Sequence, residues 1–200
     1  MSLRTLVWIP LAAGALLSGW QRFEMRPVHP PDGALAPDEP RQSEPRDSAE
    51  VHRGRWVLTP RADYDITARI LSREDYRFDA LAELAPQDLA LGWGPMSDNR
   101  VLSHLEISQD VRFYSWQPRG ALPIARAELV SHSANTHLIP ADAAIRSELA
   151  RLRVGQVVHL SGALVDGRSD DGAWIRTSLT RRDEGPGACE VLWVERVEVR

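Results

Sequence analysis

The chain contains no lysine: all 24 of its basic side chains are arginine, set against 28 acidic ones. That absence excludes several chemistries at once. No P-loop lysine can hold a phosphate, and no Schiff base can form with pyridoxal phosphate or a substrate carbonyl. Neither a Ser-Lys dyad nor a kinase-type Lys-Glu pair can be assembled. Cysteine is almost missing too. Cys189 stands alone in 200 residues, so no disulfide can form within the chain. An excess of basic charge is also lacking. A formal net charge of −4 argues against a surface for nucleic acid, which needs a basic footprint. An arginine-only basic set follows readily from GC-rich coding and carries no functional weight by itself.

Long apolar runs are confined to one place. After Arg4, an uncharged stretch runs from Thr5 to Gln21, with LVWIPLAAGALL (6–17) at its centre. Two readings stand for residues 1–21: a membrane anchor or a signal peptide. The span just reaches the roughly 17 residues a membrane helix needs. Trp8 and Trp20 lie near its ends, where aromatic rings favour the headgroup level. Ala13-Gly14-Ala15 fits a cleavage site, but cutting there leaves a short apolar core and strands Leu16 and Leu17. The anchor is the favoured reading. It implies a single membrane pass that contacts the bilayer through residues 5–21, with the rest of the chain exported.

Residues 22–50 read as a Pro-rich linker. Six of the chain's 14 prolines fall between Pro27 and Pro45, and almost no apolar side chain lies between Asp38 and Glu50. Such a segment buries little surface to offset the entropy of ordering, and proline biases it toward an extended spacer.

Residues 51–200 have no further low-complexity break or internal repeat and suit one folded domain. The expected class is α+β, strand-rich. Arg55–Leu58 reads as a short strand. Tyr64, Ile66, Ala68 and Ile70 alternate with polar residues, the pattern of a strand with one wet face. A short helix is expected from Ser97 to Leu105, a strand from Glu106 to Trp116, and a clear helix from Asp142 to Leu152. Strands follow over Gln156–Val165, bent at Gly162, then Trp174–Thr180 and Cys189–Val199. This C-terminal part has the pattern of a curled, OB-like barrel, although an open sheet would read much the same.

Three segments carry candidate site residues. In DLALGWGPMSD (88–98), Gly92 and Gly94 flank Trp93 and could present its indole at a surface, against the ordinary use of Trp as core. In HSANTHLIP (132–140), His132, Asn135 and His137 are candidate binding residues. A spacing of five puts the two imidazoles on opposite faces of a strand and about 140° apart on a helix, so no metal site is expected. Asn135 capping a turn is the plain reading of that segment. In GPGACE (185–190), Cys189 is either buried packing or a nucleophile working with His137 and Asn135. No cofactor is indicated. The five tryptophans at 56, 93, 116, 174 and 193 are expected in the core.

Taken together, the N-terminal apolar segment, the Pro-rich stretch and the segments DLALGWGPMSD, SANTHLIPAD and GACEVLWVE resemble an uncharacterised family of proteobacterial membrane-anchored envelope proteins. The likeness covers about residues 56–197 and implies a bacterial envelope protein, which makes the expected membrane the inner one and the expected compartment of the folded domain the periplasm, with no activity, cofactor or catalytic assignment attached. Three functions follow as expectations. The first is a non-enzymatic, membrane-tethered module that binds an envelope protein or cell-wall partner. The second is a small periplasmic hydrolase using His137, Asn135 and Cys189. The third is an OB-type oligonucleotide binder, which the acidic balance disfavours.

Overall fold

The computed structural model describes residues 25–200. The anchor or signal peptide expected over 1–21 lies outside them. Among the described residues no helix is long and apolar enough to cross a membrane.

Among the described residues, ten strands and three short helices follow in order: β1 (Arg41–Ser43), β2 (Val51–Arg53), β3 (Trp56–Asp75), β4 (Gln87–Gly92), α1 (Asn99–Leu102), β5 (Leu105–Asp110), β6 (Phe113–Pro118), α2 (Arg126–Ser131), β7 (Ser133–Pro140), α3 (Ala143–Leu149), β8 (Val157–Ser169), β9 (Trp174–Ile175) and β10 (Glu190–Val199). The result is a single strand-rich α+β domain.

The alternation over residues 62–70 sets its architecture. Ala62, Tyr64, Ile66, Ala68 and Ile70 all enter the main core, while Asp63, Asp65 and Thr67 face away. The two strands expected at 55–58 and 64–70 are one strand of 20 residues. It passes through Pro60 because the register slips between Pro60 and Ala62, and a bulge tolerates the missing N–H. A strand this long bends far enough to serve two neighbours. Trp56 to Arg69 pair with β8, and Arg69 to Asp75 pair with β4. β4 continues to β7, β7 lies parallel to β10, and β10 returns antiparallel to β8. Five strands therefore close a ring in the order β3-β4-β7-β10-β8-β3.

Leu89, Leu91, Leu138, Leu160, Leu164 and Leu192 fill the interior with the β3 residues. α3 connects β7 to β8 and adds Ile145 and Leu149 to the same core. It is the helix expected at 142–152, shortened at its end and capped by Asp142, whose Oδ1 accepts from the Ile145 N–H at 2.8 Å.

Closure leaves little tolerance at Gly162. A Cβ there would lie 1.9 Å from the Trp193 carbonyl oxygen, opposite the slip in β10 between Val194 and Arg196. Gly162→Ala should therefore lose about 3 kcal/mol or more, because backbone rather than a flexible side chain must move. Urea unfolding measures it. A loss below about 1 kcal/mol would mean that β8 and β10 do not approach so closely.

Several expectations are corrected. The stretch from Glu106 to Trp116 is not one strand: β5 and β6 form a hairpin that turns at Val111 and Arg112, both at positive φ. The helix expected from Ser97 to Leu105 is a 3-10 turn over Gly94–Ser97 followed by α1, and β5 begins at Leu105. Only Trp174–Ile175 of the strand expected to Thr180 pairs with β8. The segment expected as a turn at Asn135 is β7, between β4 and β10.

The described part of the linker, residues 25–50, is also not a free spacer. The Val28 N–H donates to the Val154 carbonyl at 2.8 Å, and the Gly94 N–H to the Ala36 carbonyl at 2.7 Å. Ala36 is buried in the barrel core, and β1 pairs with Asp63–Asp65 of β3. Proline explains why an apolar-poor segment can still order. Its fixed φ reduces the entropy lost on docking, and the segment bonds to groups the barrel leaves open.

Candidate functional site

Period-2 geometry places a polar cluster on the outer face of the β4–β7 pair. Leu89, Leu91 and Leu138 face the core, so Asp88, Asn135 and His137 face the other way. Asp88 is directly opposite His137, and Ala90 opposite Asn135. β10 runs parallel beside β7 with Glu190 opposite Thr136, which brings the preceding Cys189 next to Asn135. The Asn135 amide approaches the Cys189 sulfur at 3.6 Å. His137 Nδ1 lies 2.8 Å from Asp88 Oδ2, an ion-pair distance whose alignment falls short of a hydrogen bond.

The lid of this cluster is the turn of the β5–β6 hairpin. Val111 at φ 45° and Arg112 at φ 66° adopt angles that favour glycine or asparagine, so the turn is strained. Contacts around Arg112 hold it there. The Arg112 carbonyl accepts from Asn135 Nδ2 at 3.0 Å, and its N–H donates to the Tyr76 hydroxyl at 3.0 Å. The guanidinium lies 3.9 Å from the Tyr76 ring centre and bridges Asp79 at 2.8 Å and Asp88 at 3.2 Å. Gln109 adds a bond to the Asn135 side-chain oxygen at 2.7 Å.

Asp88 is fully buried, so it requires these partners. Burial opposes charge on His137, but Asp88 and Cys189 outweigh it and raise the imidazole from 6.5 to about 9. The ring is therefore a cation at neutral pH.

A second buried charge faces inward one residue beyond Cys189. Glu190 is 1% exposed, and Arg181 Nη1 stands 3.1 Å from its Oε1 without an aligned hydrogen bond. Burial pushes the Glu190 carboxyl up to about 7, against the pull of Arg181. Arg181 also donates to the Tyr64 hydroxyl at 2.8 Å and to Gln42 at 2.9 Å.

A cleft of about 230 Å³ opens between the hairpin and the loop before β10, with Tyr114, Trp116, Asn135, Asp183 and Cys189 in its walls. Of the candidate residues, His137, Asn135 and Cys189 come together, and Asn135 and Cys189 reach the cleft. Trp93 and His132 do not join them. Trp93 is 0% exposed in the barrel core, its ring 6.5 Å from that of His132, and its backbone N–H donates to the His132 carbonyl at 3.0 Å. The idea that Gly92 and Gly94 present Trp93 at a surface is corrected. Gly92 gives close packing instead, since a Cβ there would meet the Met96 carbonyl oxygen at 2.5 Å. Trp56 is likewise buried, whereas Trp174 is 70% exposed and leaves the expected core.

Asp88 and Arg112 were missed in the sequence. Asp88 stands at the head of a motif read for its tryptophan, and nothing local marks Arg112 as a turn residue. Among the described residues no group of three or more His, Cys, Asp or Glu is placed to hold a metal ion. Comparison of the chain with protein-family models, curated proteins and solved structures finds no match.

Proposed function

We propose that this chain is an envelope module tethered through residues 5–21, built on an OB-type barrel and binding a protein or cell-wall partner at the Cys189 cleft. The strand order supports the barrel reading: a five-stranded antiparallel-rich ring with one parallel pair and a helix between its third and fourth strands. The observation that carries the function is the cover on the β4–β7 face. OB barrels use the face of their second and third strands for oligonucleotides and oligosaccharides. Here Arg112 and the β5–β6 hairpin occupy part of that face and leave only the small cleft. At about 230 Å³ it is smaller than the roughly 300–1,000 Å³ of small-molecule sites and suits a single anchoring side chain or sugar substituent.

Ligand-observed NMR with short peptides and peptidoglycan fragments tests this reading. Binding that is lost when Ala188→Trp fills the cleft supports it. Binding indifferent to Ala188→Trp puts recognition elsewhere, and no binding across both sets removes the proposal.

The convergence of Cys189, His137 and Asp88 favours a second reading, a thiol hydrolase. The Cys189 sulfur would add to an ester carbonyl, and His137 would give its proton to the departing alcohol. Water would then cleave the thioester to acid and free thiol. That reading expects stoichiometric alkylation of Cys189 by iodoacetamide, slowed about tenfold in His137→Gln, together with turnover of small activated esters. Alkylation that ignores His137→Gln, with no ester turnover, removes it.

A further inference from the structure

We infer a second site, distinct from the Cys189 cleft: a basic pocket for the phosphate of an anionic phospholipid headgroup, facing the membrane. This rests on the tethered reading of residues 5–21. The pocket encloses about 830 Å³ between the loop after β3 and the end of α3, and Met25 forms part of its wall. Four arginines line it: Arg73, Arg77, Arg146 and Arg151.

Arg73 is committed. It pairs with Asp75 at 2.8 Å and donates to the carbonyls of Ala150 at 3.1 Å and Leu152 at 2.5 Å, fixing the end of α3. Arg77, Arg146 and Arg151 are exposed and have no acidic partner among the described residues. Three uncommitted guanidiniums and one committed one around a single hollow outweigh the one carboxylate present, Asp75. Guanidinium forks match phosphate geometry bidentately, which makes a phosphate monoanion or diester the fitting ligand.

Chain geometry selects the lipid as the source. From Gln21, the end of the apolar run, to Met25 there are four residue steps, which span at most about 14 Å. With the run in a bilayer, Met25 in the pocket wall cannot lie farther than that from the headgroup layer. A free anion has no such reason to be met there.

Isothermal titration of the full-length chain in a non-ionic detergent tests the site with three probes: dihexanoylphosphatidylglycerol, dihexanoylphosphatidylcholine and inorganic phosphate. The expected result is one phosphatidylglycerol per chain, weakened about tenfold or more by Arg77→Ala/Arg146→Ala/Arg151→Ala. A charge-matched control, Arg119→Ala/Arg168→Ala/Arg182→Ala, should bind as the wild type does. Equal binding of phosphatidylcholine, equal binding of phosphate alone, or equal loss in the control each overturns the proposal. Extraction of cell membranes with alkaline carbonate examines the tether separately. A chain released by carbonate removes the tether, whereas a retained chain that shows no preference for phosphatidylglycerol removes only the pocket.

Discussion

Arg112→Ala should destabilise the protein by about 3–5 kcal/mol, one of the two largest losses expected of any single side chain here. The size comes from what is left behind. Asp88 has no exposure, and removing Arg112 strips one of its carboxylate oxygens of its counter-charge. The same change frees Asp79 and the Tyr76 ring, which hold a turn at unfavourable φ. Urea unfolding reads the loss, and Asp88→Asn/Arg112→Ala should recover a large part of it by removing the stranded charge. A single-variant loss below about 1 kcal/mol would show that Asp88 does not depend on Arg112.

The remaining partner makes the cluster sensitive to alkali. His137 has a folded value of about 9 against 6.5 for an unperturbed ring. Its contribution is fully present below pH 6.5 and is lost as pH rises through about 9. Arg112→Ala should sharpen that alkaline loss, because His137 is then the one cation left beside Asp88 among the described residues.

Arg181→Ala should cost a similar amount, about 3–5 kcal/mol, but with its own pH signature. Glu190 sits inside the barrel at 1% exposure, with its folded carboxyl at about 7. A group raised on folding favours the native state most when protonated. Its contribution is therefore present below pH 4.5 and lost as pH rises through about 7. Without Arg181 the ionised form loses its main counter-charge and keeps only the weaker pull of His137, so the penalty should be small at pH 5 and larger at pH 8. Glu190→Gln/Arg181→Ala should remove this pH dependence. Thermal unfolding at the two pH values decides, and an equal loss at both would mean that the ion pair is not what Arg181 contributes.

Local pattern carried most of the strand content. The alternation at 62–70 and the helix opened by Asp142 were readable, because each depends on neighbours within a turn or two, and Gly162 marked an irregularity in β8 without showing that Trp193 lies against it. Ring closure was not readable. It depends on β3 bending through Pro60 to pair with both β4 and β8, a decision made by residues about a hundred positions away. The candidate site divided the same way. His137, Asn135 and Cys189 were visible as reactive side chains, and the five-residue spacing of His132 and His137 placed them apart, as found. Asp88 and Arg112 acquire meaning only through the pairing of β4 with β7 and the turn above them. The docking of residues 25–50 was hidden for another reason. Composition measures what a segment buries by itself, and this one orders by bonding to Val154, Gly94 and β3.

The position of β10 in the ring bears on the timetable of folding. β3, β4 and β7 form one side of the barrel and β8 pairs back onto β3, but the seam between β7 and β8 is filled only by β10. Every other ring strand precedes it along the chain, so a nascent polypeptide lacks a closed barrel until β10 emerges. Loops this long delay native pairing and keep the chain open during synthesis. If the chain is exported as we propose, that delay keeps it unfolded for the crossing.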